Sequence, residues 1–232
     1  MELRYRFAPD KTAPMEYAVK LDPQTLECAP PPGEPPEWTR LENNQCAECP
    51  LKKEDSPRCP VAVRIAPLVE TFKDSVSYDE ADITVTAPGR VYTKRVPMQI
   101  GVSGLFGLVM ATSGCPVLDK LRPMVFTHLP FPSLQETMYR SMSMFLLGQY
   151  FVAKKGGKPD WTLDGLAVIY AAIGKVNHSI ADRLRPLCVK DASVNAVINL
   201  DCFATFTKSA IDKSSLAWLE RLFKAYWDAP RP

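Results

Sequence analysis

Charge of one sign is what this sequence lacks most plainly. Across 232 residues, 28 basic side chains face 26 acidic ones, a net charge of +2, and no basic run exceeds two residues. A dedicated nucleic-acid binder usually carries a basic excess or stripe, so that class is not expected. Nor is a secretory leader expected. Met1 to Asp10 carries Glu2, Arg4, Arg6 and Asp10, and no apolar core segment follows; a cytoplasmic protein is expected. No run is long enough to span a membrane. The segment from Val96 to Leu118 has no charge, but Pro97, Gln99, Gly101, Gly104, Gly107, Gly114 and Pro116 interrupt it. Its continuous apolar part, roughly 100–110, is too short for a bilayer and reads as a buried helix. Catalytic signatures are absent as well: there is no Walker loop, dinucleotide fingerprint or H-E-x-x-H. Gly101-Val102-Ser103-Gly104 brings its second glycine one residue early for a nucleophile elbow.

What is present describes a globular chain. Apolar residues make up 46% and charged residues 23%, which excludes general disorder and leaves enough apolar surface for a sizeable core. The expected class is α+β, with small N-terminal β-hairpin elements and a cysteine-rich loop packed on a C-terminal bundle of four to five helices. Four stretches organise it: a hairpin unit over 1–28, a proline-rich linker over 29–37, a cysteine loop with a helix and second hairpin over 38–98, and the bundle over 99–232. Leu3, Tyr5 and Phe7 alternate with polar residues, as do Met15, Tyr17, Val19 and Leu21. Ile83 to Thr86 and Arg90 to Lys94 flank a turn at Ala87-Pro88-Gly89 and read as the second hairpin. The run from Ala29 to Pro36 reads as a semi-rigid spacer, or as a proline-rich ligand for a protein partner.

Helices follow from apolar periodicity. Val61, Ile65, Leu68, Val69, Phe72 and Val76 share a face, with Pro67 expected to begin or kink that helix. Gly101, Gly104 and Gly107 recur at helical spacing as a flat stripe for close packing. Ser133 and Glu136 form a capping box for a helix to Lys155. Asp164 or Thr162 is expected to cap a helix to about Arg185, Asp191 the next, and Ser214 or Ser215 the last.

The seven cysteines are odd in number, in a chain without secretory features. Ligands or reactive thiols are therefore expected rather than disulfides. Cys46-Ala47-Glu48-Cys49-Pro50 is a C-x2-C pair, and Cys59-Pro60 follows after nine residues. Asn43, Asn44, Lys52, Lys53, Asp55 and Ser56 make this stretch a polar loop, where structural cysteines do not normally sit. Thiolates at such spacing can face one ion from a tight turn. A closed site wants a fourth ligand. Cys115, in a Gly-Cys-Pro turn, is the first choice, with His128 or Cys28 as alternatives. Zinc is the expected metal and a 4Fe-4S cluster the alternative, because four thiolates suit either. Cys188 and Cys202 read as ordinary thiols, and His178 as a surface or structural histidine.

Two functions follow from these residues. One is a bacterial metal-binding protein, non-enzymatic, whose structural site staples a binding or signalling module that meets a protein partner. The other is an iron–sulfur redox protein, or an enzyme using Cys115 with His128 as nucleophile and base. Asp119, Lys120, Arg122, Gln135, Glu136 and Arg140 could serve a site near Cys115, but read as helix caps and surface ion pairs.

Five stretches carry a resemblance over nearly the whole chain: Gln45 to Leu51, Cys59 to Ala62, Ala111 to Pro116, Leu121 to Met124 with His128 to Phe131, and Asp191 to Ala196. Together they resemble a family of uncharacterised bacterial proteins sharing a domain of unknown function. The resemblance implies a bacterial origin and a self-contained unit, without an activity.

Overall fold

The computed structural model describes residues 1–212 and 216–228. Both alternating segments pair as hairpins. Strand β1 (Glu2–Pro9) runs antiparallel to β2 (Met15–Lys20), and β3 (Glu80–Ala87) to β4 (Arg90–Pro97). The hairpins also join each other. β1 pairs antiparallel with β3 in the register Tyr5↔Val85 and Phe7↔Ile83, giving one four-stranded sheet in the order β2-β1-β3-β4. Alternation then puts Leu3, Tyr5, Phe7, Ala81, Ile83 and Val85 on one face, all buried.

That face is covered first by α2 (Met98–Ala111), which contacts β1, β3 and β4. The approach is close enough to require glycine. A Cβ at Gly101 would stand 2.1 Å from the Ile83 side chain, and one at Gly104 would stand 2.4 Å from the carbonyl oxygen of Pro130. The glycine stripe thus seats α2 on the sheet and on the loop after Thr127. Helix α1 (Pro60–Phe72) adds Phe72, whose ring meets Phe7 edge-on at 4.9 Å between centroids. It starts at Pro60 rather than at Pro67. Proline at the first helical position loses no intrahelical bond, and Pro67 is accommodated inside the helix.

Three long helices complete the body: α3 (Leu134–Lys154), α4 (Asp164–Leu184) and α5 (Ala192–Asp212), with α5 packed against both α4 and α2. The Ser133–Glu136 capping box forms in both directions. The start of α4 differs from expectation: neither Thr162 nor Asp164 caps it. Leu163 takes the cap position in the left-handed region, and the carboxylate of Asp160 instead accepts from the backbone N–H groups of Thr162 and Gly165. Asp191 does precede α5, but its carboxylate accepts from the N–H and hydroxyl of Ser77 and from the Asn195 amide, tying α5 to the turn before β3. A 3-10 segment (Leu118–Thr127) lies between α2 and α3, and short helices α6 (Ala217–Glu220) and α7 (Ala225–Asp228) follow α5. The expected cap at Ser214 or Ser215 falls outside the described residues.

One buried cluster runs from Leu3 to Ala204, drawing on the sheet and on all five long helices. The proline-rich segment is tethered at both ends: the Cys28 N–H donates to the Thr112 carbonyl at the end of α2, and Arg58 and Thr39 donate to that of Pro36. Among the described residues, no helix is long and apolar enough to cross a membrane.

Candidate functional site

The cysteine loop is pinned between two stretches of the chain. On one side it folds back on its own end. Leu41 N–H donates to the Pro57 carbonyl, Cys59 N–H donates to the Thr39 carbonyl, and Arg40 and Arg58 form an isolated bridge. Cys59 is thereby fixed as the residue before α1, and the Cys49 N–H closes a tight turn on the Cys46 carbonyl at 3.0 Å.

On the other side the loop rests on α4, where Lys175, Ser179 and Arg183 stand at four-residue intervals on one face. Lys175 pairs with Glu48, and the Ser179 hydroxyl donates to the Asn44 carbonyl. Arg183 is the anchor. It is 1% exposed. Its guanidinium donates to the carbonyls of Trp38, Arg40 and Leu41 at 3.2, 2.7 and 2.9 Å. Its Nε has no partner, and no carboxylate pairs with it among the described residues. A buried cation with only neutral partners is unusual, because burying charge is costly without a counter-charge.

One thiol, that of Cys46, lies within electrostatic reach of this cation. Burial holds the Cys46 thiol above its usual range; the neighbouring thiols of Cys59 and Cys49 push it the same way, while the Ser179 hydroxyl and Arg183 oppose them. Cys115 sits in the turn after α2. Burial pushes its thiol up to about 11, with Cys59 and Cys46 adding to the shift; the backbone N–H groups of Leu118 and Val117 point at its sulfur and act in the opposite sense. Cys46, Cys49, Cys59 and Cys115 thus belong to one electrostatic neighbourhood. They do not form a closed cage: among the described residues no three or more His, Cys, Asp or Glu side chains stand gathered as a metal-ligating group. The two observations differ in range. Charges couple over many ångströms in a poorly solvated interior, whereas a zinc–sulfur bond spans about 2.3 Å.

The other candidates are engaged elsewhere. His128 Nε2 shares a hydrogen bond of 2.5 Å with the Tyr5 hydroxyl, and burial together with nearby Arg140 lowers its pKa to about 4. Cys28 leans on its neighbour, its thiol donating to the Ala29 carbonyl at 3.5 Å, while its own carbonyl accepts from Arg64. Cys188 is half-buried and Cys202 exposed. His178 lies on the surface of α4, hydrogen-bonded to the Gly174 carbonyl and facing Asp201.

The family model for a domain of unknown function, DUF6901, matches residues 3–224. The chain belongs to that family. No curated protein and no solved structure matches it. The DUF6901 match spans the sheet, the cysteine loop and the helices alike, so the four cysteines and the α4 residues that hold their loop fall within one family unit.

Sequence reasoning missed Arg183 and Ser179. A signal was present, because Val176, Ile180 and Arg183 follow one another at intervals of four and three, which puts the arginine in phase with the inward-facing stripe of α4. Reading it requires noticing a charge where periodicity demands an apolar side chain.

Proposed function

We propose that Cys46, Cys49, Cys59 and Cys115 ligate a structural zinc ion, and that the chain is a non-enzymatic, cytoplasmic binding or signalling protein. One observation carries this reading: the buried guanidinium of Arg183, without a carboxylate partner among the described residues, acts on Cys46, which in turn interacts with Cys49, Cys59 and Cys115. Four thiolates on a divalent ion carry two net negative charges, and such a centre would supply the counter-charge that Arg183 lacks. The N–H groups of Val117 and Leu118 aimed at Cys115 favour its thiolate in the same way, as donors around a metal-bound sulfur do. Closure would bring the loop and the turn at Cys115 together, driven by the metal–sulfur bonds themselves.

A structural role fits the sources of the ligands. Three come from the loop before α1 and one from the turn after α2, so a bound ion would staple the loop to the body. With four protein ligands no coordination position stays open for substrate. Use of Cys115 as a nucleophile has less support. Its thiol is held protonated by burial, where an activated cysteine has a depressed pKa, and the imidazole of His128 is bonded to Tyr5.

Metal analysis of untagged protein purified without oxygen tests the proposal. The expected result is colourless protein with one zinc per chain and a Tm that falls on chelation. Brown protein with sulfur-to-iron absorption would keep the thiol ligands and replace zinc by a 4Fe-4S cluster. Metal-free protein whose Tm ignores the chelator would overturn the reading.

A further inference from the structure

A second feature lies away from the thiols. Between α2, the 3-10 segment, α3, α4 and α5 is a cavity of about 230 Å³. Its wall is mainly apolar, with Leu108, Leu121, Met124, Ile173, Leu200 and Phe203 among the side chains. Gly104 and Gly107 also line it on the α2 side, and among the described residues Arg140 is the only charged one in the lining. Among the described residues no acidic side chain lines the space.

Two donors at this wall lack acceptors. Asn177, 2% exposed, has an amide Nδ2 with no hydrogen-bond partner. Arg140 spends one terminal nitrogen on the carbonyls of Met124 and Thr127, while its buried Nε has none. Burial holds the Arg140 guanidinium below its usual pKa, the sign of a poorly hydrated cation. Buried donors are almost always satisfied in folded proteins, and those left over mark where something else accepts. His128 adds no competing charge, since it stays neutral on Tyr5.

From the two orphan donors, the single cation and the apolar wall, we infer that this cavity binds a small amphipathic carboxylate, its oxygens on Arg140 and Asn177 and its hydrocarbon tail among the α2, α4 and α5 side chains. Size limits the tail. A cavity of about 150 Å³ takes a benzene-sized molecule, so this one takes roughly eight to ten non-hydrogen atoms. That corresponds to a medium-chain acid and excludes a long-chain lipid. An apolar pocket with a few convergent polar groups is the usual form of a small-molecule site.

Calorimetry and thermal shift on the full chain, with octanoate, 1-octanol and octylammonium as probes, test the inference. Octanoate is expected to bind saturably and raise Tm, 1-octanol to bind more weakly, and octylammonium not to bind. Arg140→Gln is expected to weaken octanoate about 10-fold to 100-fold, the loss of one charged hydrogen-bond partner, and to leave 1-octanol nearly unchanged. Because Arg140 also holds two carbonyls, Asn177→Leu provides a second variant that breaks no existing bond of Nδ2; it is expected to weaken octanoate several-fold with its fold intact. Absence of saturable octanoate binding at millimolar concentration would overturn the inference. So would equal binding of octanoate and octylammonium, or octanoate affinity unchanged in both variants.

Discussion

Tyr5 and His128, 123 positions apart in the chain, share a hydrogen bond of 2.5 Å that ties the buried face of the sheet to the loop leaving the 3-10 segment. Tyr5 is fully buried and His128 partly so. Burial raises the Tyr5 pKa far above the usual phenol range and lowers that of His128 to about 4. The pair is therefore a neutral phenol on a neutral imidazole.

This fixes the sign of a pH dependence. In the unfolded chain His128 titrates near 6.5, and in the folded chain near 4. Between those values the unfolded state binds a proton that the folded state refuses. The contribution is present in full above pH 6.5 and is lost as pH falls toward 4, up to ~3 kcal/mol. Urea denaturation at pH 7, 6, 5 and 4.5 should show the decline, and His128→Gln should flatten it. An equal slope in the variant would assign the pH dependence to other groups. Tyr5→Phe, which strands the imidazole, should cost about 1–3 kcal/mol at pH 7.

Arg183→Met should destabilise the chain by about 3 kcal/mol or more, since it strands the carbonyls of Trp38, Arg40 and Leu41. Lysine should not rescue it, because one ammonium cannot fork across three carbonyls. Hydrogen exchange checks the location of the effect: protection should fall over residues 38–59 before it falls in the strands. Uniform loss of protection would mean that the clamp supports the whole fold rather than the loop.

Gly101→Ala should cost about 1–3 kcal/mol, because its Cβ would stand 2.1 Å from Ile83 Cδ1. Ile83→Val removes that very atom. The double variant should be more stable than the sum of the single losses implies, with a coupling of about 0.5–3 kcal/mol. Strict additivity in chemical denaturation would show that α2 shifts off the sheet instead.

Serine substitutions separate the cysteines. Cys46→Ser, Cys49→Ser, Cys59→Ser and Cys115→Ser should each lower bound zinc and Tm together, whereas Cys188→Ser and Cys202→Ser should leave both as they are. Mass spectrometry of the native protein alongside calorimetry reads the two quantities. Equal zinc content in all six variants would detach the metal from this group of thiols.

How much of this was legible in the sequence depended on range. Alternation in Leu3, Tyr5 and Phe7 and around Ile83 predicts both hairpins, because a hairpin needs only neighbours. The pairing of Tyr5 with Val85 was invisible, since nothing local says which edge of one hairpin meets the other. The cap of α4 misled for the opposite reason. Asp160, Thr162 and Asp164 all offer cap chemistry within five residues, and only the chain path before Leu163 decides which carboxylate reaches the free N–H groups. For the candidate site, the polar setting of Cys46, Cys49 and Cys59 and the turn at Cys115 singled out four residues, which interact electrostatically without being gathered as a ligand cage among the described residues. The cation beside them and the cavity with its orphan donors depend on helix-on-helix packing, which periodicity records only as an inward face.

The clamp on the cysteine loop also sets a timetable. Asn44 waits for Ser179, 135 residues downstream, and Leu41 for Arg183, 142 residues downstream. At ordinary rates of translation the ribosome needs on the order of ten seconds to supply that length. For that interval Cys46, Cys49 and Cys59 sit on an unfinished chain without the clamp that later holds their loop, so the newborn protein is open to oxidants and stray ions in a way the finished one is not.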